Sequence, residues 1–473
     1  MLIGFVVLYL VVSIGIGLLA AKRVHNTADF MTTGRQLSLP VVVGVVFATW
    51  FGAETVLGIP GTFYQENLGG LISDPFGAAL CLVLFGLIFA RRLYRMNLLT
   101  LGDFYRQRFN RKVEIIAAIA ITLSYLGWVA AQITALGMVF NVLTQGAISE
   151  PLGILIGASV VLLYTVVGGM WSVAMTTFFQ MIVIVVGLTI IAFMLGNMAG
   201  GIAPVVEHAK AAGKFEFWPA LNTAAILAFI TGLLTLGFGS IPQQDVFQRA
   251  NSSRTENIAV WGSVLGGVMY LLFAAIPLFI AYSATVIDPA LVARLIHSDA
   301  DKIMMQLIQN HLPLWAQVIF YGSLMAVIMS TASGTLLAPS VTIAENLLKG
   351  WIAPNGMSDQ AFLRLTRWVI VGFALAVTGY SLWEHAGNTS IHNMVENAYK
   401  VTLVVAFVPL FAGLFWRRAN LTGAYWSMGL GLVVWLPLEF LLTNPTVPAQ
   451  FYGFAASIAG MVLGSLISRR VSI

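Results

Sequence analysis

Apolar runs of roughly 20 residues recur along the whole chain, and each is long enough to cross a bilayer as a helix. No other feature limits the fold so strongly. About thirteen such spans can be marked, near residues 2–21, 39–63, 70–93, 115–143, 152–167, 173–198, 223–246, 258–286, 314–347, 369–383, 395–415, 423–442 and 451–467. Only 9% of the 473 residues are charged and 59% are hydrophobic, with a mean hydropathy of +0.89. Soluble domains carry about 25% charged residues, so a water-soluble enzyme is excluded. Cys81 is the single cysteine and cannot form an internal disulfide. The expected fold class is an all-α polytopic membrane protein.

Charge sets the orientation. No basic residue precedes the first run, while Lys22 and Arg23 follow it, so it reads as a retained helix with its N-terminus outside rather than as a signal peptide. On that topology 19 of the 24 Lys and Arg residues fall on the inner side, Arg469 and Arg470 of the cytoplasmic tail included; Lys210, Lys214, Arg294, Lys302 and Lys400 are the exceptions. Inverting the arrangement would reverse this positive-inside bias. The net charge of +5 therefore reports topology and contact with anionic lipid, not nucleic-acid binding. The longest loops, 199–222 and 287–313, hold no soluble catalytic domain or P-loop, so any pumping must draw on a gradient. Short loops and absent elaborations lead to the expectation of a bacterial inner membrane.

Two spans carry helix-breaking residues at corresponding places. One reads Gly52-Ala-Glu-Thr-Val-Leu-Gly-Ile-Pro-Gly61 and the other Gly237-Phe-Gly-Ser-Ile-Pro-Gln-Gln244. Gly and Pro free backbone groups that a bilayer cannot satisfy, so ions or polar solutes become their partners. A matched pair of broken helices points to a mid-membrane binding site and to two inverted five-helix repeats. The repeats would cover residues 39–222 and 223–418, with 1–38 and 419–473 as additions to a single transporter domain. Simple kinks are the bland alternative.

Polar residues within the spans mark further candidates. Glu54 and Asp74 are the acids set deepest in apolar runs, and intramembrane acids are functional candidates by default. Asp74, in Ser73-Asp74-Pro75, alternatively caps a helix at the outer interface. Ser330, Thr331 and Ser333 offer hard oxygen ligands on one helical turn, or merely pack and bond their own carbonyls. Trp50 and Trp128, with Gln132 one turn further on, can form an aromatic wall attractive to organic cations, or anchor the interface. The six histidines fall in expected loops or termini without metal-ligand spacing, and no hydrolase triad is visible.

Several segments taken together resemble the sodium:solute symporter family over nearly the whole length. They are the Gly52–Gly61 segment, Thr100-Leu-Gly-Asp-Phe-Tyr-Arg-Gln-Arg-Phe109, Tyr164-Thr-Val-Val-Gly-Gly-Met-Trp-Ser-Val173, Pro242-Gln-Gln-Asp-Val-Phe-Gln-Arg249, Ser330-Thr331 and Pro409-Leu-Phe-Ala-Gly-Leu-Phe-Trp-Arg-Arg418. Ala48-Thr-Trp50 and the segment from Ile241 to Arg249 are most similar to the choline-transporter branch. The resemblance implies a LeuT-type fold of two inverted five-helix repeats. It also implies a Na⁺ site formed by the carbonyls of Ala48, Phe51 and Val327 and the hydroxyls of Ser330 and Thr331.

Where some members bind a second Na⁺, this chain has Thr177 in place of an Asp and Gly334 in place of a hydroxyl, so one Na⁺ per cycle is expected. Substrate contacts implied by the resemblance are Trp50, Glu54, Asp74, Trp128, Gln132, Ser240 and Gln243. A Trp of the choline branch is Gln243 here, which opens the aromatic cage. The expected function is Na⁺-coupled import of a small cation or zwitterion by alternating access, with no enzyme activity and no obligatory protein partner. Proton coupling through Glu54 or Asp74 is one rival, and a transporter-like sensor is another.

Overall fold

Helices alone carry the fold. The computed structural model describes residues 2–387, 391–442 and 445–467, and the only strand-like pairing among them is one backbone bridge between Leu37 and Ser253. Arg469 and Arg470, used in the charge count, lie outside the described residues. The helices that matter below are α1 (Leu2–Ala21), α2 (Leu39–Trp50), α3 (Glu54–Gln65), α4 (Leu68–Arg95), α5 (Leu101–Arg108), α6 (Arg111–Leu143), α7 (Glu150–Met198) and α8 (Thr223–Gly237). They continue as α9 (Gln244–Asn251), α10 (Glu256–Ile287), α11 (Leu314–Ile352), α12 (Asp359–Glu384), α13 (Ile391–Phe415), α14 (Leu421–Leu441) and α15 (Ala449–Ile467). Many start on a side-chain cap: Asn110, Asn222, Thr255 and Asn420 each accept from a first-turn amide, and Thr100 with Asp103 forms a capping box.

Nine of these helices among the described residues are long and apolar enough to cross a membrane, or ten if the bent pair α2–α3 is one span. This is fewer than the expected count of about thirteen, for two reasons. Helix α7 has 49 residues and would measure about 74 Å if straight, more than twice the thickness of the bilayer core. The expected spans 152–167 and 173–198 both lie within it, on either side of a break at Gly169 (φ 51°, ψ −141°). A Cβ at Gly169 would sit 2.5 Å from the Phe30 carbonyl oxygen, so only glycine fits both the conformation and the space. The second reason is that α8, with 15 residues, stops short of a full span.

Helix α11 runs through the centre, its most apolar stretch buried throughout and packed by α1, α2, α6, α7 and α12. Two end faces flank this core. The basic face ties the expected inner segments together: Arg35 to the Tyr94 carbonyl and Asn251, Arg95 to Glu256 at 2.7 Å, and Arg108 to the carbonyls of Gly413 and Ala419. Within it the fully buried Glu114 accepts from Arg111 and Asn346, each at 2.8 Å. Asn346 also bonds Asp103 at 3.1 Å and Thr100 at 2.8 Å, knotting α5, α6 and α11.

The opposite face holds a cavity of about 800 Å³ between the end of α3, the loop 297–302 and the start of α13. Glu66, Glu150, Asp299, Asp301, Glu384 and Glu396 line it, against one lysine, Lys302. His392, expected in a loop, is instead in the first turn of α13 on this wall, 3.6 Å from Glu396. Asp301 is pushed up from its ordinary 3.8 to about 6 by burial, opposed by the Ile391 amide and reinforced by Asp299.

Candidate functional site

Both sequence breaks are real. Helices α2 and α3 meet at 56°, and Phe51 between them has ψ 75°, which swings its carbonyl off the helical direction. Helix α8 stops at Gly237, and α9 does not begin until Gln244. A third interruption falls at Asp74, whose φ −138° and ψ 121° depart from the helix.

At the first break, neutral oxygens from α2 and α11 converge. Ser330 Oγ donates to the Ala48 carbonyl at 2.6 Å and to the Val327 carbonyl at 2.8 Å, and Thr331 Oγ1 lies 3.5 Å from the Ala48 carbonyl. All four residues are fully buried. The structure thus brings together four of the five residues that the resemblance implies for Na⁺, with Phe51 at the break itself. Carbonyls and hydroxyls of this kind can replace the hydration shell of an alkali cation without a charged ligand. Ser333 bonds the Ser330 carbonyl at 3.3 Å.

Beside this cluster the substrate candidates form a connected group. Trp128 Nε1 donates to Glu54 at 2.9 Å, and Gln132 Nε2 donates to its other oxygen at 2.6 Å. Gln132 also accepts the Ala53 amide at 2.9 Å, so α6 holds the first turn after the break. The Trp50 and Trp128 rings meet edge to face at 5.4 Å. Asp74 is buried rather than placed at an interface: Tyr270 donates to it, and the same hydroxyl lies 2.9 Å from Thr55, next to Glu54. Gln243 Nε2 donates to Ser124 at 2.7 Å, one helical turn before Trp128. The buried Ser240 Oγ and Gln243 Oε1 have no hydrogen-bond partner among the described residues.

Sequence reasoning missed four residues of this group. Tyr399 stacks on Trp50 at 6.2 Å and leans on Trp128 at 5.7 Å, and Tyr125 stacks on Trp128 at 6.0 Å. Asp245 accepts from Trp50 Nε1 at 3.1 Å and from the Tyr125 hydroxyl. Arg249, fully buried, donates to Thr49 and to the Asp245 carbonyl at 2.9 Å each. Asp245 and Arg249 stood inside a quoted motif, and the acid at 245, at the end of the expected span 223–246, was a usable signal; Arg249 counts among the inner-side basic residues. Nothing in the sequence separates Tyr399 from other membrane tyrosines. A Cβ at Gly334 would lie 2.0 Å from the Arg249 guanidinium, so the missing hydroxyl at 334 and the buried cation are one arrangement.

Broken helices around a buried polar centre are the plan of secondary transporters, whose binding sites form at discontinuous membrane helices. The family model for the sodium:solute symporter family matches residues 30–431, and the chain belongs to that family. It is a transporter and not an enzyme, it moves a small-molecule solute, and Na⁺ is its coupling ion. The human high affinity choline transporter 1 is 26% identical over 443 residues, covering 89% of this chain and 74% of the relative. The sodium/pantothenate symporter of Escherichia coli (strain K12) is 26% identical over 477 residues, covering 98% and 96%. A Na⁺-coupled sialic acid symporter, solved in a substrate-bound outward-open state, superposes with a TM-score of 0.82 at 18% identity, over 98% of this chain and 97% of that one. Its likeness establishes the LeuT-type fold.

Proposed function

We propose that the chain imports a small organic cation or zwitterion, choline-, betaine- or amino-acid-like, with one Na⁺ per cycle. The observation that carries this reading is the aromatic box of Trp50, Trp128 and Tyr399 set against the Glu54 carboxylate. Aromatic faces and one acid together favour a positively charged group. The acidic vestibule supports the same polarity, because it concentrates cations at the entrance. Relatives named for choline and pantothenate transport support a small organic solute.

Na⁺ is assigned to the carbonyls of Ala48, Phe51 and Val327 and the hydroxyls of Ser330 and Thr331. Solute contacts are assigned to Trp50, Glu54, Asp74, Trp128, Gln132, Ser240 and Gln243, with Tyr399 added. A stoichiometry of one Na⁺ is supported by Arg249, a fixed buried cation against Gly334 that disfavours a second mobile one nearby. Residues 39–222 and 223–418 are proposed as the two repeats. Na⁺ at the first break fixes α2 against α11 and orders the box. By linkage, solute tightens Na⁺ by the same factor. One charge moved through 100 mV supplies about 2.3 kcal/mol, with the Na⁺ gradient in addition.

The basic end is assigned to the cytoplasm of a bacterial inner membrane, with the N-terminus outside and the C-terminus inside. Thermal stability of purified protein in Na⁺ against K⁺, across choline, betaine, proline and pantothenate, tests the proposal. A ligand that stabilises only in Na⁺ supports it. Equal stabilisation in K⁺, with dependence on pH instead, overturns the Na⁺ assignment in favour of Glu54 or Asp74 as proton carriers.

A further inference from the structure

On the membrane-facing side of the second break lies a groove of about 500 Å³ with an entirely apolar lining. Its walls are built from Phe89 of α4, Phe238 and Ile241 of the break, Phe407 and Phe411 of α13, and Phe454 of α15. The rings form a continuous slot: Phe238 stacks on Phe407 at 4.8 Å, and Phe407 meets Phe411 at 6.0 Å and Phe454 at 6.1 Å. Rigid aromatic walls keep such a hollow from collapsing on itself.

One end of the groove is cationic. Trp416, a lining residue, is followed by the exposed Arg417 and Arg418. The exposed Arg92 sits 4.3 Å over the Phe415 ring and donates to the Leu414 carbonyl at 2.7 Å. All three lie where α4 and α13 end, at the basic face. A second apolar hollow of about 400 Å³, along α10 from Leu265 to Ile276, offers a contrast, because residues 257–287 contain no charged side chain. Hydrocarbon alone would wet both hollows, and only the first adds an anion-binding mouth.

We propose that this groove is a binding site for one anionic phospholipid, its acyl tail in the aromatic slot and its phosphate met by Arg92, Arg417 and Arg418. Basic pockets between membrane helices recognise lipid phosphates through the charge, while the tail gains contact along the wall. The tail rests on Phe238 and Ile241, so the occupied groove supports the unwound segment that carries Ser240 and Gln243 from its outer side. The lipid is thereby a structural ligand of the second break, independent of which solute is carried.

The test uses the full chain in detergent. Native mass spectrometry with phosphatidylglycerol and with phosphatidylcholine of identical tails is expected to show about tenfold greater retention of the anionic lipid. The combined variant Arg92→Gln, Arg417→Gln, Arg418→Gln is expected to reduce it to the phosphatidylcholine level. On the unaltered protein, phosphatidylglycerol with a diazirine in its tail is expected to label peptides containing Phe411 and Phe454, with unlabelled phosphatidylglycerol competing. This second arm stands even where the triple variant fails to fold. Equal retention of both lipids, a preference that survives the triple variant, or labelling spread equally onto Leu265–Ile276 would overturn the proposal. So would a second copy of the chain covering the groove and excluding lipid.

Discussion

The two broken helices solve the same problem with different materials. At the α2–α3 break the freed backbone faces hydroxyls of the buried α11, and the oxygens lie 2.6–3.5 Å apart. At the α8–α9 break the chain instead contributes buried side chains, and two of their polar atoms, on Ser240 and Gln243, lack partners among the described residues. A cluster of small, neutral, closely held oxygens suits one ion of fixed radius. Long amide and hydroxyl groups with spare hydrogen-bonding capacity suit a solute whose shape differs from one relative to the next. On the proposed function, the first break would carry the coupling ion and the second would add solute specificity.

The largest effect should come where the two meet. Glu54→Gln removes the charge held by Trp128 and Gln132 while keeping the shape. It should lower kcat/KM for a cationic solute about 100-fold, ~2.7 kcal/mol for a charged hydrogen bond. Na⁺ binding measured without solute should change by less than about threefold, and a parallel loss of both would merge the two devices into one. Ser330→Ala comes next: the half-saturating Na⁺ concentration should rise about tenfold, ~1.4 kcal/mol. The ranking of solutes in a competition assay should stay the same, and a reordered ranking would deny the division of labour.

Gln243→Trp is a smaller and opposite kind of change. It supplies a further aromatic face, so preference for a quaternary ammonium over a hydrogen-bonding zwitterion should grow about fivefold, ~1 kcal/mol. No change in that ratio would remove Gln243 from the specificity group. The smallest effect concerns Asp301, in the vestibule and away from both breaks. Its carboxyl is raised from 3.8 to about 6, so its protonated form favours the folded state. That contribution is complete below about pH 3.8 and is lost as pH rises through about 6. A thermal melt of the wild type should show this decline, and Asp301→Asn should flatten it without altering uptake at saturating Na⁺.

The apolar runs, both breaks and the deep acids were legible because a bilayer leaves few ways to hide a polar atom. The chain around Gly52 had to break, and Glu54 had to have partners. The continuity of α7 through Gly169 was not legible, since a glycine pair reads equally as a loop or as a kink inside a helix. Tyr399 was missed for a related reason: its role depends on α13 crossing the break near Trp50, and a tertiary crossing leaves no local pattern. Asp245 and Arg249 lie between these cases. Their charges were visible, but that Trp50 bonds Asp245, and that the guanidinium fills the space beside Gly334, required the fold.

The knot of Glu114, Arg111, Asn346, Asp103 and Thr100 has a consequence for speed. Alternating access requires the basic end to part, and these bonds join three helices through one asparagine, so they cannot be released one at a time at small cost. The transition state for parting must lose several charge-assisted bonds before water replaces them, which gives the step a large activation enthalpy. Cooling should therefore slow turnover far more steeply than it alters the affinity for either ligand, and a chilled membrane would hold loaded carriers that seldom complete a cycle.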